Sequence, residues 1–204
     1  MPHSRADGGY PFAYAPSNLG GTVLWRPELV PITLTLDAAP DGFAEARPID
    51  PASFARLLAD RLGEDGRHVV IEDVAGEHRL WLRETTPGRR MAVLIPLDRD
   101  FQTRMASLLR FHRRLFGRAP GPPPRGWALT PYRRRRLELM LGALDLHLAG
   151  ASYREIAVAL GEADANDMSA AEWKGSRERA YVIRLVASAN RMMNGGYRKL
   201  LRGR

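Results

Sequence analysis

The sequence predicts an α+β protein: a small antiparallel β-sheet with helices in the N-terminal half, then a basic, all-helical, helix-turn-helix-like half. Three observations predict it. Short apolar runs with period-two alternation recur between residues 32 and 97, the pattern of half-buried strands. Beyond residue 130, leucines return every three or four positions, the pattern of a helix face. Between the two halves lies GRAPGPPPRG, residues 117–126, with four prolines in five positions from Pro120 to Pro124. That run cannot continue a helix and favours an extended, semi-rigid spacer.

The charge changes at the same place. Residues 1–116 hold 15 arginines against 15 acidic residues, whereas residues 117–204 hold 16 Lys+Arg against 8 Asp+Glu. The whole surplus of +8 therefore falls in the second half, where it attracts polyanions. Of the 31 cations 29 are arginine, as GC-rich codon usage gives, but such a bias does not explain why one half alone is unbalanced. The expected divisions are a lead-in over 1–24, an α+β subdomain over 25–116, a Pro-rich linker over 117–128 and a basic helical subdomain over 129–204.

The elements follow in order. Residues 1–21 are rich in Gly, Pro and small polar residues. Ile32 to Leu36 alternates apolar and hydroxyl side chains and predicts a strand. Pro51, with Asp50 as N-cap, predicts a helix to Leu62 with Phe54, Leu57, Leu58 and Leu62 on its buried face. Strand-like runs occupy 68–74, 78–83 and 91–97, and short turn-rich links favour antiparallel pairing. The third, MAVLIPL, is almost wholly apolar and is expected to be the most buried. Asp98 is the expected cap of a helix to Phe116 that buries Phe101, Met105, Leu108 and Leu115.

In the basic half, Thr130-Pro131 is a helix start: a capping hydroxyl, then proline where a missing N–H costs nothing. Leu137, Leu141, Leu144 and Leu148 predict the buried face, and Gly150 the stop. Arg133, Arg134, Arg135 and Arg136 fill the first turns, where the helix dipole disfavours cations and a phosphate would relieve the conflict. Ser152-Tyr153-Arg154-Glu155 is a capping box before the short apolar stripe Ile156, Ala157 and Leu160. A long helix, a tight turn and a short helix make the first two parts of a trihelical unit. After an acidic insert, EADANDMSAAEWK, in which Ser169 and Glu172 cap a further turn and Trp173 folds back on the core, the third part spans Ser176 to Met193. There Ala180, Ile183, Val186, Ala187 and Asn190 trace one side, and Arg177, Tyr181, Arg184, Ser188 and Arg191 another. A stripe of arginines suits the major groove, where guanidinium grips guanine or phosphate. The candidate DNA-contacting residues are Arg133, Arg134, Arg136, Arg154, Lys174, Ser176, Arg177, Arg179, Tyr181, Arg184, Arg191, Arg198 and Lys199. Asn194-Gly195-Gly196 is the expected stop before a last turn containing Tyr197, Leu200 and Leu201.

Other functions find little support. Without cysteine there is neither a disulfide nor a thiolate metal site, and a reducing cytoplasm, at the nucleoid, is the expected setting. No apolar run reaches the ~18–20 residues of a membrane span. The five histidines are scattered, no Gly-rich phosphate loop or nucleophile motif is present, and no cofactor is expected. Glu72-Asp73 and Asp98/Asp100 are the carboxylates that could meet to bind a divalent metal in a nuclease, and strand-end and cap roles explain them more simply. The expectation is a non-enzyme.

The strings LWLRETTPGRRMAVLIPLDRDFQTRMASLLRFHRRLFGRAPGPPP and LTPYRRRRLELMLGALDLHLAGASYREIAVALG, with the WK…R…GGYRKLL ending, resemble the family called domain of unknown function 2285, the RovC-type DNA-binding domain of type VI secretion regulators. The resemblance covers about residues 25–202. It implies a transcription factor that binds double-stranded promoter DNA as a homo-oligomer, with a related regulator or RNA polymerase as further partners. Related proteins control integrative conjugative elements. Some relatives act instead as antiactivators that bind a regulator rather than DNA, and this protein-interaction role is the alternative function, with the strands and the helix ending at Phe116 as its surface.

Overall fold

The computed structural model describes residues 12–14, 22–162 and 164–204. Most of the expected lead-in lies outside them. The chain divides into two compact units, Met1–Trp127 with Leu201–Arg204, and Ala128–Leu200.

The first unit holds a two-stranded ribbon, β1 (Phe12–Tyr14) and β2 (Leu24–Trp25), and a five-stranded sheet. The sheet contains β3 (Thr33–Ala38), β4 (Leu57–Gly63), β5 (Gly66–Asp73), β6 (Gly76–Leu82) and β7 (Met91–Leu94), ordered β4-β5-β6-β3-β7. It is antiparallel apart from one parallel pair, β3 with β6. The register aligns Val69 with Leu80, Leu80 with Leu34, Leu82 with Leu36 and Leu36 with Val93, which makes one face a continuous apolar row. Helix α1 (Phe101–Leu115) covers it through Phe111, 1% exposed, a burial worth about 2 kcal/mol.

Several expectations needed correction here. Only Pro51–Ser53 is helical, as one 3-10 turn, with Asp50 capping Ala52 N–H as expected. Residues 57–63 form the edge strand β4, which leaves Leu57, Leu58 and Leu62 exposed. Pairing with β5 overrides the local helical pattern, and the two-residue turn Glu64-Asp65 closes that hairpin. Gly66 ends the turn at φ +120°, where a Cβ would lie 2.2 Å from the Leu82 carbonyl oxygen. The apolar run 91–97 is not the most buried strand: β7 lies at the other edge, Leu97 is 92% exposed, and β3, β5 and β6 hold the core. It pairs with β3 rather than β6, because β3 lies between them.

Helix α1 is capped at Asp100, without a side-chain cap bond, not at Asp98. Asp98 accepts from the Asp100 amide and binds the Arg104 guanidinium at 3.0 Å. The buried face of α1 carries Arg104, Ser107, Arg110 and Phe111, while Phe101, Met105, Leu108 and Leu115 are half-buried. Arg110 survives burial by donating to the carbonyls of Ala75, Glu77 and Gly121. The proline run packs with this unit: Pro120 and Pro124 are buried.

The second unit is helical throughout: α2 (Pro131–Leu148), α3 (Tyr153–Ala159), α4 (Asp164–Asp167), α5 (Ala170–Gly175), α6 (Arg177–Arg191) and α7 (Tyr197–Leu200). Its core joins Met140, Ala143 and Leu144 of α2, Ile156 and Ala157 of α3, Ala165 of α4, and Val182, Leu185, Val186 and Ala189 of α6. The face of α2 is rotated from expectation: Leu137 is half-buried and Leu144 buried, but Leu141 and Leu148 are 61% and 65% exposed. Ala143, fully buried beside Gly142, lets a neighbouring helix approach closely where leucine would not.

Candidate nucleic-acid interface

The helical unit is organised by its caps. Thr130 Oγ1 accepts from the Arg133 amide, so α2 starts where the sequence predicts. Ser152 and Glu155 form the reciprocal capping box of α3, and Ser169 and Glu172 repeat it for α5. The hydrogen bonds to Ser152 and Ser169 hold the carboxyls of Glu155 and Glu172 below the usual range. Ser176 caps α6, its Oγ accepting from the Arg179 amide at 3.1 Å. Helices α2, α3 and α6 pack together, with α4 and α5 occupying the connection between α3 and α6. Gly195, at φ +110°, breaks the helical path after α6 and sets off α7.

Helix α6 is two-faced. Val182, Leu185, Val186 and Ala189 are at most 3% exposed, whereas Arg177, Arg184 and Arg191 are all exposed. These arginines recur every seven residues, two turns apart, along about 21 Å of one helix side. Half-buried Tyr181 and Ser188 lie between them, and Tyr181 also touches the core. Ser188 Oγ donates to the Arg184 carbonyl and accepts from Arg191 Nη2 at 3.0 Å.

The remaining candidates divide by environment. Arg134 and Arg136 are exposed in the first turns of α2, and Arg133 is half-buried. Arg135 pairs with Glu138 at 3.7 Å. Lys174 is exposed at the end of α5, and Arg198 and Lys199 on α7. Arg179 is half-buried. Arg154 is engaged within the unit: Nη2 donates to the Ser169 carbonyl at 3.1 Å, and the guanidinium lies 5.3 Å from the centroid of the Trp173 ring. Trp173 packs against the core as expected.

Sequence reasoning missed Glu178. Buried in the first turn of α6, it binds Arg177 Nε at 2.6 Å, and that bond, with a backbone N–H, holds its carboxyl below the usual range. The available signal was an acid in a helix's first turn, where the dipole favours it.

Each carboxylate of the two candidate metal-binding pairs has a basic side chain as its partner. Glu72 pairs with Arg56, Asp73 with His78 and Arg114, Asp98 with Arg104 and Asp100 with Arg204. Among the described residues no group of three or more His, Asp or Glu side chains could hold a metal ion, and no helix is long and apolar enough to cross a membrane.

A family model described as a type VI secretion (T6SS) transcription factor DNA-binding domain, RovC, matches residues 94–202, more than half of the chain. The chain belongs to the RovC DNA-binding domain family. It is therefore a DNA-binding transcription factor by family. A second model, a domain of unknown function (DUF7012), matches residues 32–93. No curated protein and no solved structure gives a match. The RovC match carries 20 Lys+Arg against 10 Asp+Glu, while the DUF7012 match carries 8 against 11. Polyanion attraction thus resides in the RovC part, which begins at the end of β7 and takes in α1 as well as the helical unit.

Proposed function

We propose that this protein reads promoter DNA through a helix-turn-helix-like unit in which α6 enters the major groove and α3 supports it. One observation carries the reading: the exposed side of α6 holds Arg177, Arg184 and Arg191 in line, while its opposite side is locked into the core. An α-helix fits the major groove, where arginine donates to guanine O6 and N7, and phosphate contacts set orientation. Arg134 and Arg136 at the start of α2, with Arg198 and Lys199 on α7, supply phosphate contacts. Arg177 reaches DNA with its guanidinium steered by Glu178, and Arg154 braces α5 rather than touching a base.

The test is fluorescence anisotropy on promoter fragments over a range of salt. Neutralising about six phosphates gives a log–log salt slope of roughly −5. Arg177→Ala or Arg184→Ala lowers specific binding by about 1–3 kcal/mol, whereas Arg134→Ala weakens binding to all sequences alike. Unchanged affinity in both α6 variants assigns the wrong face. A protein that binds no promoter fragment but captures a paralogous regulator is an interaction module instead.

A further inference from the structure

The first unit contains a cavity that the DNA-reading role does not use. It is an open concavity of about 590 Å³ beside α1 and the 3-10 turn, within the size range of small-molecule sites. Arg47, Arg114 and Arg118 line it, against a single carboxylate, Asp50. Ile49, Phe54 and Leu115 give it apolar walls. Asp50 is already engaged, its Oδ1 accepting from the Ala52 amide. Arg114 is partly neutralised by Asp73, but its Nε is buried without a hydrogen-bond partner. Arg47 is held with its guanidinium 4.4 Å from the Phe116 ring centroid, and both Arg47 and Arg118 remain exposed to solvent. A second, smaller cavity of about 220 Å³ shares Arg47, Ile49 and Leu115 with the first and is otherwise bounded mainly by apolar side chains such as Val93, Leu108 and Phe111.

We propose that this cavity binds a small organic anion, its phosphate or carboxylate head on Arg47 and Arg118 and its apolar body along Ile49 and Leu115. The lining carries more guanidinium than carboxylate charge, and an anion seated there balances it while gaining charge-assisted hydrogen bonds. The apolar walls, and the smaller cavity beyond the shared residues, favour an anion with a hydrophobic body over a bare inorganic ion.

The experiment titrates the full chain, without DNA, with phenyl phosphate by isothermal calorimetry, alongside benzyl alcohol and inorganic phosphate. Phenyl phosphate binds saturably at one site, and benzyl alcohol and inorganic phosphate each bind at least about tenfold more weakly. Arg47→Ala and Arg118→Ala each weaken phenyl phosphate about tenfold with unchanged circular dichroism, since neither residue is buried. Absence of saturable binding, affinity unchanged in both variants, or inorganic phosphate binding as tightly as the phenyl ester overturns the proposal. An Arg177/Arg184/Arg191→Ala variant separates this site from the proposed DNA face: it keeps phenyl phosphate affinity, and loss there would move the anion to α6.

Discussion

Substituting Asp73 by asparagine tests how the first unit is held together. The Asp73 side chain is 3% exposed and accepts from His78 Nε2 at 2.6 Å, Arg114 Nη1 at 3.1 Å and the Val74 amide at 2.6 Å. Burial alone would raise its pKa. The His78 hydrogen bond, the Val74 amide, and the charges of His78 and Arg114 together outweigh burial and hold it below the usual carboxylate range. Asparagine keeps the shape and removes the charge. His78 then faces an amide that supplies one acceptor where two oxygens served, and Arg114 loses its counter-ion. Removing one partner of a buried pair costs about 3–5 kcal/mol. Arg114, whose side chain is 24% exposed, can turn to water, which places the loss near the lower end, about 3 kcal/mol. For a unit of this size that lowers Tm by about 10 °C. Thermal unfolding followed by tryptophan fluorescence at pH 7 reads it, because Trp81 stacks on His68 in the adjoining strand with ring centroids 5.8 Å apart. A Tm within about 2 °C of the parent would show that Asp73 is no buried hub and that water already screens the cluster.

Three further outcomes are expected. Burial, only partly offset by Asp73 and Asp65 respectively, pushes His78 and His68 below histidine's usual 6.5, so the unfolded chain takes up their protons first on acidification. Urea midpoints hold above pH 7 and fall as pH drops through 6.5 toward the lowered folded-state values; a midpoint flat from pH 7.5 to 5 contradicts this. Ile156→Ala removes a side chain with 0% exposure from the junction of α2, α3 and α6, costing about 2–5 kcal/mol in urea unfolding, and a loss under about 1 kcal/mol would mean that junction is loosely packed. Thr130→Ala deletes the α2 cap and costs about 1 kcal/mol, measured the same way, with Thr130→Ser restoring most of it; an unchanged midpoint would show that the cap bond adds nothing.

Where local chemistry decides, the residues were readable. Thr130-Pro131, Ser152 with Glu155 and Ser169 with Glu172 satisfy orphan amides within four positions, so their helix starts coincide with the sequence signals. The alternation at 32–36 likewise marked β3, although nothing local says that β3 inserts between β6 and β7. Non-local pairing explains the misreading at 57–62, where LLADRL fits a helix until an unpaired β5 edge is available. On α2, leucine stands at 137, 139, 141, 144, 146 and 148, so more than one face satisfies the periodicity and small Ala143 decides which one packs. Arg104 and Arg110 of α1 look like surface charges by type; Arg104 is buried on nearby Asp98, whereas for Arg110 the carbonyls of Ala75 and Glu77, more than thirty positions away, and of Gly121 are what permit burial. On the candidate interface, the arginine spacing of α6 was legible in sequence, but the Arg154 brace was not, because Ser169 and Trp173 lie fifteen or more positions away.

That brace changes what the long segment between α3 and α6 means. In a helix-turn-helix with a three- or four-residue turn, the turn itself dictates the angle between the two helices. Here side chains meeting in the core set the angle, and the connecting segment is a splint tied to that core by Ala165 and Trp173, stitched to α3 at Ser169 and closed at Ser176. Ala165 of α4 is buried in that same core, so the stretch between Gly161 and Ser169 is pinned at one point, and only the exposed residues on either side of it are free to diversify while the geometry they span stays put.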